Sequence, residues 1–152
     1  MIKVLICDDQ DIVCEGLQRI LESDDGIHVV GIANNGEEAL QLIPVKSPDL
    51  VLMDLKMPVM NGIVATRKIR EQYPNIRVLV LTTYDDDEWV FDAIRGGAAG
   101  YLLKDRPRDE LIGAIKGTID GNAYIDPAVA GKLLNHVSQS SAPRQTATNI
   151  SF

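Results

Sequence analysis

The chain has 152 residues, 45% of them hydrophobic and 24% charged, a size and balance that suit one globular domain with a core of its own. Its 15 basic and 22 acidic residues leave a net charge of −7, which excludes a surface that grips a nucleic-acid backbone unaided. The two cysteines, Cys7 and Cys14, form neither a C-x-x-C pair nor part of a Cys/His ligand cluster. With no signal peptide or membrane-length apolar run, the expected compartment is the cytoplasm.

Residues 2–7, Ile-Lys-Val-Leu-Ile-Cys, read as a first strand, followed at once by Asp8-Asp9. A first helix is expected from Asp11, its best-placed cap, to Glu22, with Val13, Leu17, Ile20 and Leu21 at helical spacing. Residues 28–33 read as a second strand, broken by Asn35-Gly36. A short helix follows from Glu37 to Ile43 and ends at Pro44. The third strand, 50–53, stops abruptly at Asp54, and Pro58 and Gly62 bound the loop beyond it. A third helix spans Gly62 to Tyr73. Val78 to Leu81 form a fourth strand, followed by Thr82-Thr83. A fourth helix starts in the acidic run Asp85 to Glu88, whose charge complements the positive end of that helix, and stops at Gly96-Gly97. A fifth strand covers Gly100 to Leu103, with Lys104 next, and a fifth helix begins near Pro107.

The strands are continuously apolar rather than alternating, so both faces of the sheet are expected to be covered. Strict β-α alternation then gives an α/β fold, a doubly wound five-stranded parallel sheet, over residues 1–120. Residues 121–138 form a linker: Asn122 to Asp126 a connector, then a sixth helix opened by Pro127 with an apolar stripe of Val129, Leu133 and Val137. Residues 139–152 are rich in Ser, Thr, Gln, Pro and Asn and read as a flexible tail.

A parallel sheet delivers the last residue of every strand to one edge. Four of the five strands end there in a polar group: Asp8-Asp9, Asp54, Thr82 and Lys104. Carboxylates brought together repel one another and call for a cation. Oxygen-only ligation points to magnesium, with Asp9 and Asp54 as direct ligands, Asp8 acting through water and the backbone carbonyl of Lys56 as a further oxygen. A carboxylate is also a nucleophile toward phosphorus. Lys104 and the Thr82 hydroxyl are then suited to two phosphoryl oxygens, which makes Asp54 the candidate acceptor.

Asp8-Asp9, the Asp54-x-x-x-Pro58 loop with Gly62, Thr82, Tyr101 and Lys104 together resemble the receiver domain of two-component response regulators over about residues 2–119. The resemblance implies a flavodoxin-like (CheY-like) strand order of 2-1-3-4-5. It also implies phosphorylation of Asp54 by a sensor histidine kinase, magnesium held by Asp8 and Asp9, Thr82 and Tyr101 as switch residues, and Lys104 at the phosphoryl group. The run Gly97-Ala98-Ala99-Gly100-Tyr101-Leu102-Leu103-Lys104-Asp105 and the segment Gly121 to Pro127 are similar to the LuxR/NarL subfamily, which adds a helix-turn-helix domain. In many receivers a proline, often in a cis bond, follows the lysine; Asp105 stands there in this chain. The expected output is transcriptional control, with homodimerisation on phosphorylation and DNA contacted only through a C-terminal domain beyond this chain, taken here as a fragment.

Two alternatives stay open. One is a stand-alone receiver acting through protein contacts. The other, more remote, is an aspartate-nucleophile phosphatase, although Lys56 stands where such enzymes carry a second aspartate. In the main reading the chain is no enzyme beyond its own phosphorylation and dephosphorylation. Lys56 and Tyr84, two residues past Asp54 and Thr82, are placed to tune the lifetime of the phosphoryl group.

Overall fold

The computed structural model describes residues 1–83 and 87–141. Tyr84, the first two residues of the acidic run and the tail from 142 lie outside the described residues. The elements are β1 (Ile2–Cys7), α1 (Asp11–Glu22), β2 (Ile27–Ala33), α2 (Gly36–Lys46), β3 (Leu50–Met53), α3 (Gly62–Gln72), β4 (Arg77–Thr82), α4 (Asp87–Arg95), β5 (Gly100–Leu103), α5 (Arg108–Ile119), β6 (Tyr124–Ile125) and α6 (Pro127–Ser141). The strands form one sheet in the order β2-β1-β3-β4-β5-β6, and all its pairs are parallel.

Alternate residues of each strand feed opposite faces of the sheet. Val4 and Ile6 of β1 pack with Leu50, Leu52, Leu79 and Leu81 under α1 and α5. Leu5 and Cys7 pack with Val51, Met53 and Val78 under α2 and α3. A third cluster joins Leu55, Val80, Val90, Ala93, Tyr101 and Val129, so α6 closes over the sheet beside α4. Burial on both faces explains the unbroken apolar strands.

The sheet has six strands, not five. Tyr124 and Ile125 lie in the expected connector and pair with Gly100 and Tyr101 of β5. Two residues carry no periodic signal, so the strand is invisible to pattern reading. Gly100 is what admits it: a Cβ there would come 2.5 Å from the Tyr124 carbonyl oxygen.

One helix boundary and one helix cap also differ from expectation, while α1 itself has the expected span, Asp11–Glu22. Pro44 does not end α2 but lies inside it, in the last turn, where its missing N–H forfeits one bond near an end that frays anyway. The helix closes two residues later, with Ser47 in the left-handed conformation donating its N–H to the Ile43 carbonyl at 2.8 Å. Asp11 is not the cap of α1; Gln10 is, and it makes no side-chain capping bond. The Asp11 carboxylate instead accepts from Asn34 Nδ2 at 3.3 Å. Among the described residues no helix is long and apolar enough to cross a membrane, and no peptide bond is cis, that before Asp105 included.

Candidate functional site: an acidic pocket at the carboxyl edge of the sheet

The ladder continues past the strand ends and fixes the backbone of each candidate residue. The Asp8 N–H donates to the Ala33 carbonyl at 2.9 Å, the Asp54 N–H to Cys7 at 3.0 Å and the Lys104 N–H to Thr82 at 2.9 Å. The three side chains therefore leave one edge of the sheet, Asp8 and Asp54 from the neighbouring strands β1 and β3 and Lys104 from β5 on the far side of β4, and the pocket inherits the rigidity of the sheet.

Asp8, Asp9 and Asp54 each offer a carboxylate oxygen, and these oxygens lie within 4.8 Å of one another. Asp8 and Asp54 are buried, at 2% and 6% exposure, and Asp9 is exposed. Lys104 Nζ sits 2.5 Å from Asp8 Oδ2 and 3.6 Å from Asp54 Oδ1. The other Asp8 oxygen accepts the Gln10 N–H at 2.9 Å, so both oxygens of Asp8 already have protein donors. Three carboxylates facing one ammonium leave an excess of two negative charges.

Asp54 is held differently. The Thr82 hydroxyl and the Leu55 N–H reach its carboxylate, yet Oδ1 has no hydrogen-bond partner among the described residues. A buried carboxylate oxygen without a donor is costly. Burial above all holds the Asp54 carboxyl above the ordinary carboxylate range; the Asp8 charge adds to this, and Lys104 and the two hydrogen bonds oppose it. Thr82 is fully buried, and so is Tyr101, which packs with Leu55, Val80 and Val129.

The loop after β3 is shaped around the Asp54 backbone. The Gly62 N–H donates to the Leu55 carbonyl at 2.8 Å, and a Cβ on Gly62 would fall 1.9 Å from the Asp54 carbonyl oxygen. Only glycine fits that approach. Between them, Val59 has φ 68°, with the Met60 N–H bonded back to the Pro58 carbonyl at 2.7 Å, a strained turn for a β-branched residue.

The remaining candidates flank the pocket. Lys56 is exposed, and its Nζ lies 5.1 Å from the centroid of the Trp89 ring on α4. Cys7 and Cys14 are free and buried. Burial, reinforced by Asp54 and Asp8, drives the Cys7 thiol far above its ordinary range, and Cys14 is pushed up to about 11.

Sequence reading missed Arg106 and Asp126. Asp126 is fully buried, and its carboxylate takes Arg106 in a two-pronged bond, Nε to Oδ2 at 2.6 Å and Nη2 to Oδ1 at 2.7 Å. This pairing is the main reason that the Asp126 carboxyl lies below its ordinary range. An aspartate directly before the helix-opening Pro127 was the available signal, since that is where a capping side chain belongs. Its Oδ1 accepts the Ala128 N–H at 3.0 Å. Nothing local marks Arg106, 20 residues earlier.

Comparison with known proteins agrees with this geometry. The family described as the response regulator receiver domain matches residues 4–116. The oxygen regulatory protein NreC of Staphylococcus carnosus is 39% identical over 151 residues, covering 99% of this chain and 70% of that protein. The transcriptional regulatory protein DegU of Brevibacillus brevis is 41% identical over 133 residues, covering 88% of this chain and 56% of that one. Among solved structures, a LuxR-family two-component response regulator from Aurantimonas sp. SI85-9A1 superposes with a TM-score of 0.84 at 33% identity, over 90% of this chain and 97% of that one. The fold, the edge at which its acidic residues gather and these likenesses converge: the chain belongs to the response regulator receiver family, among the LuxR/NarL-type regulators.

Proposed function

We propose that Asp54 accepts a phosphoryl group from a sensor histidine kinase and that this switches a transcriptional output. The observation that carries the reading is Asp54 Oδ1: buried, without a hydrogen-bond donor among the described residues, and 3.6 Å from the Lys104 ammonium. An oxygen so placed is a nucleophile awaiting an electrophile. In the step, Oδ1 attacks phosphorus, a bond forms between Oδ1 and phosphorus, and the donor's nitrogen–phosphorus bond breaks with its electron pair going to the departing imidazole. Lys104, which spans Asp8 and Asp54, pairs with a phosphoryl oxygen. The Thr82 hydroxyl, already at the Asp54 carboxylate, donates to another.

The donor set suits a hard divalent cation: three carboxylates, an orphaned oxygen and two uncompensated negative charges. Asp9 and Asp54 would hold magnesium directly, Asp8 through water, and the Lys56 carbonyl from the same loop. When bound, the ion supplies neutralisation of charge on the carboxylate and the phosphoryl oxygens.

Phosphate on Asp54 biases a two-state equilibrium that Thr82 and Tyr101 pass to the face formed by α4, β5 and α5. Lys56 and Tyr84 screen the acyl phosphate and set its lifetime. The chain's own phosphorylation and dephosphorylation are the only chemistry it performs. The layout is a receiver over residues 1–120 followed by a linker, expected to end at 138, whose α6 runs on to Ser141. This chain covers 70% of the NreC relative and 56% of the DegU relative; DNA contact, homodimerisation on phosphorylation and a cytoplasmic setting belong in this reading to the whole regulator. Incubation with a small acyl phosphate tests the central step. The wild-type chain takes up label at Asp54 in magnesium and not in chelator, whereas uptake by Asp54→Asn at the same rate rejects the acceptor.

A further inference from the structure

We infer that Asp126 is a positioning residue for phosphoryl transfer, acting through Lys104, so that the segment after α5 is part of the framework of the acceptor site. The inference rests on Asp54 being the acceptor and adds to it a dependence on a residue 72 positions further along the chain.

Lys104 is the first residue beyond β5, and its partners in the pocket, Asp8 and Asp54, lie just past the ends of β1 and β3. What holds it from behind is Asp126. The Leu103 N–H, one residue before Lys104, donates to Asp126 Oδ2 at 3.3 Å. Arg106, two residues after Lys104, donates twice to the same carboxylate. The two attachments bracket Lys104. The loop's own backbone bond, Arg106 N–H to the Leu103 carbonyl, is long at 3.4 Å. The Lys104 N–H bond to the Thr82 carbonyl ties the residue itself to β4, and the carboxylate adds the restraint on the residues either side of it.

Asp126 is itself well fixed. Its N–H donates to the Tyr101 carbonyl at 2.8 Å, extending the β5–β6 ladder, and its carbonyl accepts from Val129 at 2.9 Å and Ala130 at 2.8 Å in the first turn of α6. Val129 then packs in the cluster that contains Tyr101. A single buried residue therefore joins β5, the Lys104 loop and the start of α6. Other ion pairs of Arg106 are looser, 3.6 Å to Asp105 and 3.8 Å to Glu110, and do not substitute for it.

Coupling of this kind is reciprocal: whatever loosens the start of α6 shifts Lys104, and whatever draws Lys104 toward a phosphoryl group is felt at α6. A capping role alone would tie Asp126 to Ala128 only. The three bonds from Leu103 and Arg106 are in excess of that role.

The test is the rate of Asp54 labelling by a small acyl phosphate in magnesium, measured for Asp126→Asn in the wild-type and in the Lys104→Ala backgrounds. Asp126→Asn keeps a side-chain acceptor for the Ala128 N–H and loses the charge that holds Arg106. Misplacing a reacting group by about 1 Å costs roughly 10²-fold, and a loosened lysine costs about tenfold at saturating donor. With Lys104 already truncated, the same substitution is silent. Arg106→Gln, which leaves the carboxylate and its backbone donors in place, gives the same pattern and stands in if Asp126→Asn does not fold. Equal slowing in both backgrounds, or no slowing in either, overturns the inference while Asp54 remains the acceptor. Failure of the wild-type chain to label at Asp54 removes the acceptor reading and the inference with it.

Discussion

Gly62→Ala puts a methyl group where the structure has no room. Its Cβ would stand 1.9 Å from the Asp54 carbonyl oxygen and 2.9 Å from both the Asp54 carbonyl carbon and the Leu55 Cα, all of them backbone atoms. Ordinary contact begins near 3.4 Å, so the loop carrying Asp54 and the start of α3 must part by about 1.5 Å. Overpacking of that order costs about 1–3 kcal/mol, and the Gly62 N–H to Leu55 bond, 2.8 Å long, contributes about 1 kcal/mol more when lost. A net loss of about 3 kcal/mol lowers the melting temperature by roughly 10 °C in a domain of this size. Moving the acceptor by more than an ångström also costs about 10²-fold in phosphorylation rate, because Asp54 no longer faces Lys104 and Thr82. Circular-dichroism melting and labelling by an acyl phosphate, at a temperature where the variant stays folded, report the two effects separately. Gly113→Ala and Gly117→Ala on α5, where a Cβ meets nothing within 4 Å, are the controls, and each should raise stability by a few tenths of a kcal/mol to about 1 kcal/mol. A Gly62→Ala protein with unchanged melting and unchanged labelling would refute the close-approach reading.

Asp54→Asn stabilises the metal-free protein near neutral pH. The folded-state carboxyl lies above its ordinary range, so the unfolded chain loses the proton first and wild-type stability falls as pH rises through that window. Urea titrations in chelator should show the gain shrinking as the solution is acidified below the ordinary carboxylate range, and a gain independent of pH contradicts the assignment. Val59→Gly removes a β-branched side chain from a φ of 68° and is expected to raise the melting temperature by a few degrees, the relief of about 1–3 kcal/mol exceeding the entropy cost of glycine; a lower melting point would show that the turn is unstrained. Cys7 and Cys14 stay unreactive toward a thiol-specific disulfide reagent until denaturant is added, and rapid labelling of the folded chain speaks against the burial that raises both thiols.

The sheet and the pocket were legible for one reason. Each of β1, β3 and β5 is an apolar run that ends in a charged residue, and a parallel sheet turns that linear pattern into a shared edge. Asp8, Asp54, Thr82 and Lys104 could be placed together without coordinates because the strand ends define the place. The features that escaped depend on partners distant in sequence. β6 exists because Gly100 lacks a side chain, not because Tyr124 and Ile125 announce a strand. The proline in α2 is tolerated because it falls in the final turn, which composition alone does not reveal. Asp11 has the composition of a cap but lies one residue inside the helix, and Asn34 claims its carboxylate. Arg106 and Asp126 look like two surface charges in the sequence, yet their pairing encloses a fully buried carboxylate. Charge pairs of this sort are set by tertiary contact, which no local pattern encodes.

Three strand ends that make one pocket should bind a divalent cation beside Asp54. Manganese, as a paramagnetic stand-in for magnesium, tests this by nuclear magnetic resonance. Substoichiometric manganese should first broaden the backbone signals of Asp8, Asp9, Asp54 and Leu55, excess magnesium should restore them, and the effect should be absent in a variant carrying Asp9→Asn and Asp54→Asn. Broadening spread evenly over the acidic surface, or centred on Glu15 and Glu22 of α1, would contradict a cation site at these strand ends.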